Sequence, residues 1–158
     1  MVTQLHLALV MAIDAKLLVL DEPTLGLDIL FRKSFYDSLL NDYFDGKRTI
    51  VVTTHQVEEI QHVLTDLVFI DRGRIALNSS MEDFETRYAE VMVRPEHLEQ
   101  ARALHPLHER QVFGRGILLY DGADRGRLAE LGEVRTPSIA DVFVALIGGA
   151  NGAQGARA

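Results

Sequence analysis

The sequence predicts an α/β protein that combines a mostly parallel sheet, an antiparallel hairpin at the edge of that sheet and a small α+β region after it. The first observation is that two short apolar runs, at residues 17–21 and 49–54, alternate with helical segments, an order that favours a parallel sheet. The second is the segment "DLVFIDRGRIALN" at 66–78, which reads as two strands around an Arg-Gly turn. The third is a change of character from about residue 89, with shorter apolar runs and nine of the twelve glycines at or beyond Gly114.

The first elements follow from local patterns. Residues 4–14 are apolar nearly all round a helix, which predicts a helix that is buried on several sides. The continuous apolar run at 17–21 is typical of an interior parallel strand that is covered on both faces. Asp28 can cap a helix over residues 29–42, because its side chain can accept a hydrogen bond from a free backbone N–H of the first turn.

The remaining elements follow in the same way. The segment 49–54 is rich in β-branched residues and predicts a second buried strand, and residues 55–63 read as a helix. Beyond the hairpin we expect helices at 81–88, 95–104, 124–131 and 138–147, and strands at 89–94, 108–113, 116–120 and 132–136. We therefore expect three regions: a main α/β region (1–80), an accessory α+β region (81–147) and a flexible tail with the sequence "GGANGAQGARA" (148–158).

Composition narrows the class of function. The chain has 158 residues, a net charge of −7 and scattered basic residues, which argues against a nucleic-acid partner. It contains no cysteine, so disulfides and thiolate metal sites are excluded. The apolar run "LHLALVMAI" near the start is too short for a membrane span and lacks the cationic beginning of a signal peptide. We expect a chain that is soluble or peripheral to a membrane.

Two adjacent acids stand at the end of the first strand. The carboxyl ends of strands in an open α/β sheet face the ligand crevice, so Asp21 can hold Mg²⁺ there through the water shell of the ion. Side chains alternate along a strand, so Glu22 points elsewhere and can orient and polarise an attacking water. A loop then leads to a third acid, Asp28, and the next strand ends in "TTH", so that His55 can contact a terminal phosphate. We expect the three acids and the histidine to meet at one edge of the sheet.

The stretch "LLVLDEPTLGLD", followed by "VVTTH", resembles the ATP-binding cassette (ABC) ATPase family. Leu17–Asp21 is similar to the Walker B strand of that family, Glu22 to its catalytic glutamate, the segment through Asp28 to its D-loop and His55 to its switch histidine. The resemblance covers residues 1–80 closely and implies the C-terminal half of a P-loop NTPase (RecA-like) domain.

What the resemblance implies for function is also specific. The cofactors would be ATP and Mg²⁺, with Glu22 and His55 as catalytic residues. Two ATPase subunits would form a head-to-tail dimer, with Asp28 at the interface, and would drive a transmembrane permease from the cytoplasmic face of the cell membrane. The segment "TPSIADVFVALIGG" resembles the closing part of ATPase subunits of bacterial exporters, which favours export. Two alternatives remain: a non-catalytic truncated or split-gene product that acts through a partner chain, and an ABC ATPase of a non-transport branch.

The sequence also departs from the family. The phosphate-binding loop G-x-x-x-x-G-K-[ST], the Q-loop and the signature "LSGGQ" do not occur in it, and Met1 would align with the last position of the signature. Backbone amides and a lysine of the phosphate-binding loop supply much of the energy that binds the phosphates of the nucleotide. We therefore expect the chain to begin in mid-domain, to bind ATP poorly and to be inactive by itself. We also expect a missing P-loop strand to lie between the two strands at 17–21 and 49–54.

Overall fold

A computed structural model describes residues 2–152 of the chain, which divide into two compact units: residues up to Val63 and residues from Leu64 onward. The first unit contains helix α1 (Val2–Met11), strand β1 (Leu17–Asp21), helix α2 (Ile29–Ser38) and strand β2 (Thr49–Thr53). The second contains strands β3 (Asp66–Asp71) and β4 (Arg74–Ser80), helix α3 (Met81–Arg87), strand β5 (Tyr88–Val93), helix α4 (Leu98–Arg102), strands β6 (His108–Val112) and β7 (Arg115–Asp121), helix α5 (Arg125–Leu131), strand β8 (Gly132–Arg135) and helix α6 (Ile139–Gly152). The α/β class is confirmed.

The two strands of the first unit pair directly with each other. β1 and β2 run parallel, with Leu17 opposite Thr49 and Asp21 opposite Thr53. Their parallel direction was expected, but the expectation that a further strand lies between them is wrong, because β1 and β2 are hydrogen-bonded directly to each other. The antiparallel hairpin of β3 and β4 is also confirmed, and the described residues place it in a two-stranded sheet of its own.

Strand β1 and helix α1 of the first unit are each buried on one face only, whereas their apolar sequences predict burial on more than one face. Leu18 and Leu20 of β1 are buried, whereas Leu17 and Val19 are 58% and 60% exposed. In α1 only Leu7 is buried among the described side chains, and Leu5 is 61% exposed. The predictions of a strand covered on both faces and of a helix buried on several sides are therefore wrong for the part of the chain that the structure describes, because only one face of each element has a packing partner there.

The helix expected at residues 55–63 is replaced by two 3₁₀ turns, Val57–Glu59 and Gln61–Val63. Their backbone bonds span three residues, as from the N–H of Ile60 to the carbonyl of Val57 (3.2 Å). A 3₁₀ turn brings side chains three residues apart above one another. The side chains of Gln56 and Glu59 have this spacing, and Arg32 binds both. This contact with a distant helix explains why the α-helical prediction is wrong.

The second unit has a sheet of four antiparallel strands in the order β6-β7-β5-β8. Its strands β5 and β7 are buried on both faces along most of their length. The core is formed by small and large apolar side chains that pack together: Ala89, Val91, Val93, Ala101, Leu118, Tyr120, Leu128 and Leu131. The second unit therefore contains a core made entirely of its own residues.

The last helix, α6, continues to Gly152, whereas the sequence predicts a flexible tail from residue 148. The rest of that predicted tail, residues 153–158, lies outside the described residues. The proposed boundary between a main and an accessory region, after residue 80, stays a prediction beside the observed division after Val63.

Candidate functional site

The parallel register of β1 and β2 brings the residues that follow the two strands to the same edge. Asp21 lies opposite Thr53, and the backbone N–H of Glu22 donates to the carbonyl of Thr53 at 2.9 Å. Because parallel strands end on the same side, the next residues of each strand, Glu22 and then Thr54 and His55, become neighbours. The predicted convergence at this edge is thus observed for Glu22 and His55.

Glu22 turns the chain sharply as it leaves the strand. Its φ of 44° lies in the left-handed region, which is uncommon for a residue with a side chain. The loop beyond it is tight: the N–H of Leu25 donates to the carbonyl of Glu22 at 3.1 Å, and Gly26 supplies a second positive φ of 77°. This turn directs the carboxylate of Glu22 towards the end of β2.

Both carboxylate oxygens of Glu22 are bound. Oε1 lies 2.7 Å from Nδ1 of His55 and accepts the backbone N–H of the same residue at 3.0 Å. Oε2 accepts the hydroxyl of Thr54 at 3.1 Å. Three contacts therefore fix the orientation of this carboxylate, and all of them come from two consecutive residues of the neighbouring strand end.

These contacts favour the charged form of Glu22. The hydrogen bond with the His55 side chain is the largest cause that holds the pKa of Glu22 below its usual value, and partial burial opposes it. An ionised carboxylate only accepts hydrogen bonds, so Nδ1 of His55 must carry the proton. The second ring nitrogen, Nε2, is then left for another ligand, and the His55 side chain is 66% exposed.

Asp21, the last residue of β1, makes a separate contact with β2. Its Oδ1 accepts the hydroxyl of Thr53, and the residue is exposed. An exposed carboxylate is the kind of group through which Mg²⁺ is held by way of its waters, usually together with oxygens of a substrate phosphate. Asp21 therefore fits the metal role. Between residues 2 and 152, no group of three or more acidic or histidine side chains could form a complete metal site from protein ligands alone.

Asp28 is not part of this cluster. Its Oδ1 accepts the backbone N–H of Phe31 at 3.0 Å, so it caps α2 as the sequence predicts. The loop that leads to it is tied to the same helix by a buried contact of 3.3 Å between the hydroxyls of Thr24 and Tyr36. Asp28 thus begins α2 at the end of a firmly held loop.

Sequence reasoning assigned no role to four residues that contact the site or its surroundings. The two threonines of "VVTTH", Thr53 and Thr54, bind the two acids directly, and their position at the strand end was a signal that could have identified them. Arg32 and Glu59 pair with each other nearby, and no local pattern distinguishes them from ordinary surface charges.

The sequence of this chain is similar to the sequences of several ATP-binding proteins. No family profile matches the sequence. Over 147 residues, the chain is 37% identical to the Nod factor export ATP-binding protein I of Cupriavidus metallidurans, a match that covers 85% of this chain and 48% of that protein. It is 36% identical over 67 residues to the high-affinity zinc uptake system ATP-binding protein ZnuC of Bacillus subtilis, covering 42% of the chain and 29% of that protein. It is also 34% identical over 74 residues to the energy-coupling factor transporter ATP-binding protein EcfA2 of the same species, covering 47% and 27%.

The matches cover only part of each relative. The chain spans about half the length of the export protein and less of the other two. All three relatives are named as ATP-binding proteins of transport or export systems. Among the described residues, no helix combines the length and the hydrophobicity that crossing a bilayer requires. The chain is therefore related by sequence to the ATP-binding subunits of ABC transporters, whose C-terminal portion it resembles.

Proposed function

We propose that this chain carries the hydrolytic edge of an ABC transporter ATPase, the edge at which water attacks the terminal phosphate of ATP. The observation that supports this most directly is the pairing of Glu22 with His55 at the ends of two parallel strands. Both carboxylate oxygens of Glu22 are bound, and its backbone has a positive φ. Two acids that were merely exposed at a strand end would require neither feature.

Glu22 and His55 have complementary roles in this proposal. A glutamate is ionised at neutral pH even at its ordinary pKa, and the contacts of Glu22 lower its pKa further. Its carboxylate can therefore accept a hydrogen bond from water and orient it for attack. In the neutral ring with a proton on Nδ1, Nε2 of His55 is an acceptor. With protons on both ring nitrogens, Nε2 would instead donate to a phosphate oxygen.

Asp21 and Asp28 complete the proposed assignment. Asp21 would hold Mg²⁺ through water, and the ion, when bound, neutralises charge on the phosphates. Asp28 would act where a second ATPase subunit approaches in a head-to-tail dimer, in addition to capping α2. The phosphate-binding loop G-x-x-x-x-G-K-[ST] does not occur in this sequence, so the proposal gives no residue of this chain the task of binding the phosphates through such a loop.

The direction of transport is proposed to be export. The match to the Nod factor export protein covers 85% of this chain and so extends through both units, whereas the matches to the zinc uptake and energy-coupling factor proteins cover less than half of the chain. This coverage agrees with the resemblance of the last helix to exporter subunits. The partner would be a transmembrane permease, with the ATPase peripheral on the cytoplasmic face of the membrane.

A hybrid subunit tests the catalytic assignment. In it, this chain replaces the segment that it matches in the Nod factor export ATP-binding protein I of C. metallidurans. We expect Glu22→Gln to lower phosphate release by about 10²–10⁴-fold while ATP binding persists, because the amide keeps the size of the side chain but loses the negative charge. The matched control is Glu58→Gln, an exposed acid in the 3₁₀ turn that follows His55. If Glu22→Gln kept more than about a tenth of the turnover, Glu22 would not be the base.

A further inference from the structure

Arg32 is the residue that joins the loop before α2 to the segment after β2. It lies on the first turns of α2, and its Nε donates to the carbonyl of Leu27 at 2.7 Å. Its Nη1 donates to the side-chain oxygen of Gln56 at 2.8 Å and also pairs with the carboxylate of Glu59. One guanidinium therefore binds two segments that are more than twenty residues apart in the sequence.

The contacts of Arg32 continue to the proposed base. The backbone N–H of Gln56 donates to the hydroxyl of Thr54 at 3.0 Å, and the same hydroxyl donates to Oε2 of Glu22 at 3.1 Å. A continuous chain of hydrogen bonds therefore runs from the carbonyl of Leu27 through Arg32, Gln56 and Thr54 to Glu22. Each link is within ordinary hydrogen-bond distance, and Leu27 is the residue immediately before Asp28.

This arrangement is more than a surface ion pair. The side chains of Arg32 and Glu59 are only 22% and 31% exposed, and Arg32 uses a planar fork of donors that fixes its direction. Oε2 of Glu59 is buried and has no hydrogen-bond partner in the described part of the chain. Leaving this carboxylate partly unsatisfied is costly, and Arg32 supplies the charge that compensates it.

We propose that Arg32 is a positioning residue that couples the loop carrying Asp28 to the Glu22–His55 pair. The inference rests on the proposed function: if Asp28 meets a second subunit, a shift of its loop reaches the base through Arg32. Glu22 would then be held in its hydrolytic orientation only while the loop is in place. The coupling in the chain itself can be measured without ATP.

The test uses the full 158-residue chain and two readouts. Hydrogen exchange reports the amide of Gln56, and ¹⁵N NMR of the imidazole reports the bond between His55 Nδ1 and Glu22. We expect Arg32→Ala to speed exchange at Gln56 by about tenfold or more, the effect of losing charged hydrogen bonds, and to shift the His55 ring signals. Arg32→Lys should restore these signals only in part, because a lysine cannot reproduce the fork.

Arg48→Ala is the matched control. Arg48 pairs with Asp14 at 2.9 Å and stacks over the ring of Tyr43 in the same unit, and none of its contacts within the described residues belongs to the chain of bonds to Glu22. It should leave the His55 ring signals unchanged. If Arg32→Ala prevents folding, Glu59→Gln provides the same test, because it removes the charge that holds Arg32 while the bond to Leu27 can persist.

The outcomes separate the two proposals. Unchanged His55 signals in a folded Arg32→Ala or Glu59→Gln chain, or equal shifts in Arg48→Ala, would overturn the coupling while leaving the hydrolytic role of Glu22 intact. Shifted signals together with full turnover of the Glu22→Gln hybrid would instead retain the coupling and overturn the proposed function.

Discussion

The two units of this chain bury their strands in different ways. In the second unit, β5 and β7 lie in the middle of a four-stranded sheet, and side chains on both faces are covered by residues of the same unit. In the first unit, β1 alternates between buried and exposed side chains, although its sequence is apolar throughout. The proposed catalytic residues belong to the first unit, in which β1 is buried on one face only. Hydrogen bonds hold their side chains in place more than packing does. This contrast gives predictions for stability, surface behaviour and pH response.

The largest expected effect concerns a leucine in each unit. Leu118 is fully buried in the core of the second unit, whereas Leu17 is 58% exposed in the first. Leu118→Ala should lower the free energy of unfolding by about 2–5 kcal/mol, because it removes buried methyl groups and leaves a cavity. Leu17→Ala should change it by only about 0.5 kcal/mol. Urea unfolding monitored by circular dichroism measures both variants, and equal losses would remove the contrast between the units.

A smaller effect is expected on the exposed apolar face of the first sheet. Val19 and Val51 lie opposite each other on β1 and β2, and both are exposed, so together they form an apolar patch on the surface of this sheet. The double substitution Val19→Thr and Val51→Thr keeps β-branched side chains, so the strands should persist while binding of a hydrophobic dye and self-association decrease. The control is Val68→Thr, an exposed valine of the second unit that lies opposite Asn78. An equal decrease in dye binding and self-association for the control would mean that the pair of valines contributes no more than any single exposed valine.

The smallest expected effect is a difference in acid sensitivity. Hydrogen bonds with His55 and with Arg102 lower the pKa of Glu22 and of Glu109, respectively, below the ordinary value of 4.5. A carboxyl with a lowered pKa in the folded state stabilises the fold above its ordinary pKa and loses that contribution as the pH falls through the lowered value. Glu22→Gln and Glu109→Gln should each flatten the fall of stability with pH below 4.5.

The measurement for this prediction is the urea midpoint as a function of pH, at low and at high salt. Both carboxylates are near the surface, so added salt should shrink the differences. Glu58→Gln serves as the control, because Glu58 is an exposed acid of the first unit without a hydrogen bond among the described contacts. A steeper fall of stability in either Gln variant than in the unchanged chain would contradict the sign of the argument.

Local patterns predicted much of the fold. The strand Leu17–Asp21, the hairpin of β3 and β4 and the cap at Asp28 depend on neighbouring residues, and each is observed. The segment 55–63 depends on Arg32, which is distant in the sequence, and there the prediction is wrong. Periodicity describes what a segment could bury, but it carries no information about which distant side chain will contact it.

The same distinction applies to the site. Proximity of Glu22 and His55 could be predicted, because parallel strands place their ends at one edge. The positive φ of Glu22 could not, because it depends on the contacts that the carboxylate makes after the turn. The catalytic roles assigned to these residues stay predictions until turnover is measured.

The most direct test of the proposed hydrolytic site asks whether Glu22 and His55 act as one unit. In the hybrid subunit, phosphate release is measured for Glu22→Gln, His55→Ala and the double variant, with ATP binding measured in parallel. Residues that act together in one catalytic step show strongly non-additive losses. We expect the double variant to be no slower than the slower single variant, while all three variants still bind ATP. If the two losses multiplied, or if His55→Ala kept full turnover, the paired site at this strand edge would not be the hydrolytic centre.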